Sequence, residues 1–119
     1  MKKTILVVDD METNLLAAKQ ALQSDYNVVV ADSGEAALEL MNDSKVDLIL
    51  LDISMPVMDG FATHEAIKKH ENYTGVPVVY LTAKHDENME FKGRILGAVD
   101  FMTKPYCAIT LRERVELYL

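Results

Sequence analysis

Carboxylates stand at the ends of two apolar runs in this chain of 119 residues. Asp9 and Asp10 follow the run Thr4–Val8, and Asp52 follows residues 46–51. Runs of this length and composition are typical of buried strands in a parallel sheet. Open sheets of that kind bind their ligands in a crevice at the carboxyl ends of the strands. The sequence therefore predicts a group of acidic side chains at one edge of a sheet.

Two further polar side chains follow the last two apolar runs, Thr82 after residues 76–81 and Lys104 shortly after residues 98–102. Carboxylates that are packed together repel one another unless a cation compensates them, and Lys104 or a bound Mg²⁺ ion could supply that charge. A carboxylate nucleophile, a metal, a hydroxyl and a lysine suit phosphoryl transfer to Asp52. The sequence has no glycine-rich phosphate loop, which argues against nucleoside triphosphates and dinucleotides as ligands.

Strand and helix patterns alternate strictly along the chain. We predict strands at 4–8, 26–31, 46–51, 76–81 and 98–102, and helices at 12–24, 33–42, 60–71, 86–96 and from 108. This alternation predicts parallel pairing, right-handed crossovers and helices on both faces of the sheet. Five strands fit a flavodoxin-like, doubly wound α/β fold with strand order 2-1-3-4-5 better than a six-stranded dinucleotide fold. In that order the first and third strands are neighbours, so the three carboxylates must lie close together.

Composition indicates a single domain over residues 1–119. Half of the residues are apolar and the formal net charge is −7. This charge argues against direct binding to nucleic acid and favours cationic partners or a metal. No apolar stretch approaches the roughly 20 residues that cross a membrane, and the N-terminal run is too short for a signal peptide. We therefore expect a cytoplasmic protein that does not associate with membranes.

Other polar residues are expected to have structural roles. His64, His70 and His85 show no metal-ligand spacing and are expected to be solvated or to cap helices. Asp59 is expected to act with Gly60 as a turn and helix cap. The single cysteine, Cys107, cannot form an internal disulfide and is expected to be buried or half-buried.

Five short motifs, taken together, resemble the receiver domain of two-component response regulators. In chain order they are Asp9-Asp10, Asp52 with Met55-Pro56, Asp59-Gly60, Thr82-Ala83 and Lys104-Pro105. Each motif is weak alone, but the set covers essentially the whole chain in order and at the family's spacings. The resemblance implies a signalling switch that accepts a phosphoryl group on Asp52 from a histidine kinase or a histidine phosphotransfer protein. It implies no enzymatic activity beyond the domain's own phosphorylation and slow autodephosphorylation.

The resemblance also implies a Mg²⁺ site beside the phosphoacceptor. By the family pattern, Asp10 binds the metal directly and Asp9 holds it through water. Asp52 and the backbone carbonyl of Ser54 complete the set of ligands. Ser54 and Lys84 occupy variable family positions that flank the phosphoryl group and resemble positions that tune dephosphorylation.

Further implied roles concern the switch itself. Lys104 is implied to pair with the phosphoryl group and to precede Pro105 through a cis peptide bond. Thr82 is the implied switch hydroxyl, and Phe101 stands where the family usually has an aromatic residue, often tyrosine. The implied output surface is formed by the fourth helix, the fifth strand and the fifth helix, where we expect Phe91 to be an exposed partner anchor. Phosphorylation-dependent homodimerisation is left open.

Two alternative functions compete with the phosphoaccepting switch. A phosphorylation-independent interaction module of the same fold would be indicated by a lost acidic pair or a missing lysine, and neither is lost. A Mg²⁺-dependent phosphohydrolase of the haloacid-dehalogenase kind would also use a carboxylate at a strand end. That class requires a second aspartate two residues later, where this chain has Ser54.

Overall fold

Five strands and five helices alternate along residues 2–83 and 86–119, the part of the chain that the computed structural model describes. The strands are β1 (Thr4–Val8), β2 (Asn27–Ala31), β3 (Leu48–Asp52), β4 (Val78–Thr82) and β5 (Asp100–Thr103). The helices are α1 (Glu12–Leu22), α2 (Gly34–Asp43), α3 (Gly60–Lys68), α4 (Glu87–Leu96) and α5 (Ala108–Tyr118). None of the helices in this described part is long and apolar enough to cross a membrane.

The strands form one parallel sheet in the order β2-β1-β3-β4-β5. This confirms the doubly wound α/β fold that the alternation predicts. The register pairs Val8 with Leu51, and Asp52 with Leu81. Because paired strands end at similar levels, the residues that close β1, β3 and β4 meet at one edge of the sheet.

Alternate strand residues pack against helices on opposite faces of the sheet. On one face, Leu6, Val8, Ile49 and Leu51 share a buried cluster with Ala37 and Met41 of α2 and Ile67 of α3. On the other, Ile5, Val7, Leu48 and Leu50 pack with Leu15 and Leu22 of α1 and Leu111 and Val115 of α5. Every residue of the central strand β3 is buried, which is why its sequence is a continuous apolar run up to Asp52.

Helix α4 has fewer buried residues than any other helix in the described part of the chain. Gly93 is its single buried residue, whereas Phe91 and Ile95 are exposed. The helix begins at the N-cap Asp86, whose side chain accepts a hydrogen bond from the Met89 backbone N–H. It ends at Gly97, where φ is 108° and a residue without a side chain is favoured.

Several element boundaries differ from the predicted ones. Strands β3 and β4 extend through Asp52 and Thr82, since the parallel ladder continues to pair these polar residues. Strand β5 begins two residues later than predicted and ends one residue later, and α3 ends at Lys68. Ser33 and Asp59 are the N-caps of α2 and α3, as expected for both.

The expected burial of Cys107 is wrong. This residue is the N-cap of α5 and is exposed, and its sulfur lies 3.2 Å from the Thr110 hydroxyl. An N-cap position lies outside the apolar stripe of its helix, so the hydrophobic character of the thiol does not draw it into the core.

Candidate functional site

Three carboxylates converge at the carboxyl edge of the sheet. Asp9 and Asp10 directly follow β1, and Asp52 is the last residue of β3. One carboxylate oxygen of each residue lies within 4.8 Å of those of the other two. Asp9 and Asp52 are only 1% and 3% exposed, whereas Asp10 is exposed. The cluster is therefore reached from solvent on the Asp10 side.

Lys104 supplies positive charge to this cluster from the far end of the sequence. Its Nζ lies 2.7 Å from Oδ2 of Asp9 and 3.4 Å from Oδ1 of Asp52. The Lys104 backbone N–H donates to the Thr82 carbonyl at 2.7 Å, which anchors the loop after β5, and the bond to Pro105 is cis. Burial alone would lower the pKa of Lys104, but its hydrogen bond to Asp9 and the charge of Asp52 raise it overall. The lysine therefore remains a cation.

Lys104 does not fully offset the effects of burial and of the neighbouring Asp9 on the Asp52 carboxylate. Burial and then the charge of Asp9 raise the pKa of Asp52 to about 6, against the opposing effect of Lys104 and the Ser54 backbone N–H. That N–H lies 3.3 Å from Oδ1 of Asp52. Hard oxygen ligands with an excess of negative charge fit Mg²⁺, which binds through one or two carboxylates and keeps several waters. The residues present therefore suit a divalent cation.

Thr82 lies at the end of β4 with its side chain directed to α4. The residue is 1% exposed, and its hydroxyl donates to the Met89 sulfur at 3.3 Å. A thioether is a weak acceptor, so this contact is easily exchanged for a stronger one. The predicted switch hydroxyl thus lies on the strand next to β3 in the sheet. It contacts α4, the helix with the fewest buried residues.

Phe101 on β5 is half-buried and packs edge-to-face against Tyr80, with ring centroids 5.3 Å apart. The guanidinium carbon of Arg94 lies 5.4 Å from the centre of the Phe101 ring. The ring therefore sits between β4 and α4. Its position makes it sensitive to any displacement of that helix.

The remaining predicted site residues have simpler surroundings. Ser54 is exposed beside Asp52, and Lys84 lies outside the described residues. Phe91 is 68% exposed on α4, as expected for a partner anchor.

The expectation that His64 is solvated or capping is wrong. His64 is 1% exposed, and its Nδ1 lies 2.6 Å from the hydroxyl of Tyr80. Burial, with a smaller contribution from Lys68, lowers the pKa of His64 to about 4. The helical spacing of Gly60, His64 and Ile67 was the signal for a buried histidine, because these positions share one face of α3. His70 lies 2.8 Å from the Asn42 side-chain oxygen of α2 and accepts a hydrogen bond from the Asn72 backbone N–H, whereas His85 lies outside the described residues.

Comparison with known proteins identifies the family. The family model described as the response regulator receiver domain matches residues 5–116. The chain belongs to the response regulator receiver domain family. Receiver domains take phosphoryl groups from histidine kinases and typically bind Mg²⁺ at an acidic pocket. The resemblance inferred from the five motifs is thereby confirmed, and with it the signalling class of this receiver domain.

The similar proteins include regulators of several kinds. The receiver domain is 40% identical over 116 residues to a probable cyclic di-GMP phosphodiesterase of Vibrio cholerae, covering 98% of this chain and 26% of that protein. It is 38% identical to the alkaline phosphatase synthesis transcriptional regulatory protein PhoP of Bacillus subtilis, covering 100% of this chain and 49% of that one. The chain thus spans about half or less of the length of these relatives.

Among solved structures, the chemotaxis protein CheY4 of Vibrio cholerae matches with a TM-score of 0.96 and 28% identity, and the match covers 100% of both chains. The agreement confirms the fold of the receiver domain over its whole length.

Proposed function

We propose that residues 1–119 form a phosphoaccepting switch in which Asp52 takes a phosphoryl group from a histidine kinase or a histidine phosphotransfer protein. One observation supports this most directly. Asp52 is a buried carboxylate at the end of the central strand, with a lysine 3.4 Å away and two further carboxylates beside it. A structural aspartate at a strand end has no need of such neighbours.

In the proposed reaction, a carboxylate oxygen of Asp52 attacks the phosphorus of a phosphohistidine in line. The new oxygen–phosphorus bond forms as the phosphorus–nitrogen bond to the donor imidazole breaks, and that imidazole takes up a proton. Lys104 moves its charge from Asp9 towards the phosphoryl oxygens. The raised pKa of Asp52, about 6, still leaves it mainly ionised at neutral pH.

The carboxylates of Asp9, Asp10 and Asp52 and the backbone carbonyl of Ser54 would hold Mg²⁺. When bound, the metal supplies the positive charge that offsets both the carboxylates and the phosphoryl oxygens. The convergence of the carboxylate oxygens of Asp9, Asp10 and Asp52 supports this proposal. We further propose that Ser54 and Lys84, which flank Asp52 in the family pattern, tune the rate at which the phosphoryl group is lost.

The conformational step would begin at Thr82. A phosphoryl oxygen is a stronger acceptor than the Met89 sulfur, so phosphorylation favours a Thr82 hydroxyl that turns from α4 to Asp52. Phe101 then follows by packing into the space that Thr82 leaves. The readout is the surface of α4, β5 and α5, where Phe91 and Ile95 already expose apolar groups. A partner or a second copy of the chain would bind there.

Radiolabelled acetyl phosphate or a phosphohistidine donor tests the proposal directly. We expect Mg²⁺-dependent labelling of the wild-type protein and none in Asp52→Asn. Asp43→Asn, a change at an exposed carboxylate on α2, is the matched control and should label normally. Analytical ultracentrifugation with and without beryllofluoride, a mimic of the phosphoryl group, then shows whether activation leads to dimerisation. Unchanged labelling of Asp52→Asn would contradict the assignment of the phosphoacceptor.

A further inference from the structure

Three aromatic rings form a continuous row beneath α4. Phe61 of α3, Tyr80 of β4 and Phe101 of β5 pack edge-to-face in that order, and we call them the aromatic row. The ring centroids are 5.6 Å apart between Phe61 and Tyr80 and 5.3 Å apart between Tyr80 and Phe101. Tyr80 is the central ring and is completely buried. The row therefore joins three separate elements of the fold.

Three consecutive residues of α4 contact the aromatic row. The Lys92 ammonium lies 4.5 Å from the centre of the Phe61 ring, and the Arg94 guanidinium lies over Phe101. Between them, a β-carbon added to Gly93 would come within 2.8 Å of Tyr80 and 2.7 Å of Phe101. Only glycine lets a helix backbone approach two rings this closely. Since Gly93 is the one buried residue of α4, this helix packs against the rest of the domain mainly through the aromatic row.

Two residues on one side of β4 contact two residues on one face of α4. Tyr80 and Thr82 are two residues apart on the strand and so face the same side. Met89 and Gly93 are four residues apart on the helix and so also share a face. Thr82 contacts Met89, and Tyr80 lies under Gly93. The helix is thus held to β4 at two points, of which only the Thr82 contact is exchanged in the proposed switch.

His64 anchors the hydroxyl end of the central ring. Its Nδ1 and the Tyr80 hydroxyl are 2.6 Å apart, and both residues are buried. Burial lowers the pKa of His64 and raises that of Tyr80, so the imidazole is neutral and the hydroxyl is protonated. The two neutral groups share one hydrogen bond, whose direction depends on the tautomer of His64. A buried hydrogen bond of this length fixes the hydroxyl end of the ring and its distance from α3.

We propose that His64 and Tyr80 are positioning residues of the switch, because their hydrogen bond holds the central ring as the fixed point about which α4 moves when Thr82 is withdrawn. This inference rests on the proposed function for its role in signalling. The seating of α4 itself is a property of the unphosphorylated protein. It is therefore testable without phosphorylation.

Hydrogen exchange of the unphosphorylated full chain is the first test, with Tyr80→Phe as the variant. Losing the hydroxyl should raise the exchange of α4 amides about five-fold, the factor that a typical net hydrogen bond represents. Amides of β1 and β3 should change much less. Tyr73→Phe is the matched control, since Tyr73 is a half-buried tyrosine packed against the same core outside the aromatic row. Exchange that is unchanged, or that rises equally in all elements, overturns the inference.

Tyr80→Phe also leaves the buried imidazole of His64 without its hydrogen-bond partner, which lowers global stability. The double variant His64→Leu/Tyr80→Phe removes both polar partners, and such a change is close to neutral for stability. We expect it to restore the exchange of β1 and β3 while that of α4 stays raised. Recovery of α4 together with the strands would show that the pair is only a core contact.

Two further measurements on Tyr80→Phe test the role of the pair in the switch: labelling by acetyl phosphate and the response of α4 to beryllofluoride. In Tyr80→Phe, acetyl phosphate should label Asp52 within two-fold of the wild-type rate, while the beryllofluoride-induced change in α4 exchange is reduced by at least half. A wild-type response of α4 in this variant would contradict the positioning role. Failure of the wild-type protein to label would refute the proposed function and leave the unphosphorylated test of the aromatic row standing.

Discussion

The ammonium group of Lys104 lies 2.7 Å from Oδ2 of Asp9, closer than its 3.4 Å approach to Asp52. In the resting protein this lysine is therefore first of all the counterion of a buried carboxylate. Its side chain is 18% exposed, so water screens the pair only partly. We propose that the same ammonium group pairs with the phosphoryl group after phosphorylation. Its removal should therefore affect stability as well as phosphorylation.

Lys104→Met should lower the free energy of unfolding in EDTA by about 3 kcal/mol, because it leaves buried carboxylates without a cation. Millimolar Mg²⁺ should recover much of this loss, since the metal supplies the missing charge. Urea denaturation with and without Mg²⁺ measures both effects. Lys45→Met, at an exposed loop lysine, is the control and should change stability by less than about 0.5 kcal/mol. Equal losses in both media would argue against a shared cation site.

Asp52→Asn should stabilise the metal-free protein. A carboxyl whose pKa is higher in the folded state, here about 6, destabilises the fold above that pKa. This cost fades as the pH falls through 6 towards the unfolded pKa near 4. We expect Asn to add about 2 kcal/mol at pH 8 and clearly less at pH 5, in denaturation experiments with EDTA. A gain independent of pH would point to packing and not to charge.

Met89→Leu should make activation easier. Leucine keeps the approximate volume but removes the sulfur that accepts the Thr82 hydroxyl at 3.3 Å in the resting state. Because this contact is weak, we expect beryllofluoride to bind about two-fold more tightly. Fluorine NMR of the bound mimic gives the affinity. Met41→Leu, a core change on α2, serves as the control, and weaker binding in Met89→Leu would contradict the prediction.

Val57 occupies a strained turn beside the site. Its φ is +67°, and the Met58 N–H donates to the Pro56 carbonyl at 2.8 Å across it, which makes it the centre of a classic γ-turn. The side chain is 99% exposed, so no packing compensates the strain. Val57→Asn should raise the free energy of unfolding by about 1 kcal/mol in urea titrations. Val30→Asn, at an exposed strand valine, should lower it instead.

His64 should make the fold sensitive to acid. Its pKa of about 4 in the folded state lies below the unfolded value near 6.5, so the unfolded chain binds the proton first. The stability due to the neutral buried imidazole is complete above pH 6.5 and is lost as the pH falls towards 4. The stability lost at pH 5 amounts to about 2 kcal/mol. The dependence should be smaller in His64→Leu/Tyr80→Phe, which removes the titrating group; an identical pH profile would exclude His64 as its source.

Much of the site was predictable because the chain places chemical groups at the ends of regular elements. Periodic apolar residues define the strands, and strict alternation leaves few topologies open to a short chain. Once the order of the strands was predicted, Asp9, Asp10 and Asp52 had to converge. The predicted strands ended one residue early where polar residues such as Thr82 continue a ladder, because polarity at a strand end resembles a loop.

By itself, the sequence determined the five parallel strands, the acidic edge and the family, because these depend on local periodicity and on the types and spacing of a few residues. The tertiary structure alone decided which partner each group takes. Lys104 contacts a carboxylate 95 positions away, and His64 turns inward to a tyrosine 16 positions away. Such choices depend on side-chain packing between distant elements. No local pattern records whether Thr82 donates to Met89 or how closely Gly93 seats α4 on the aromatic row.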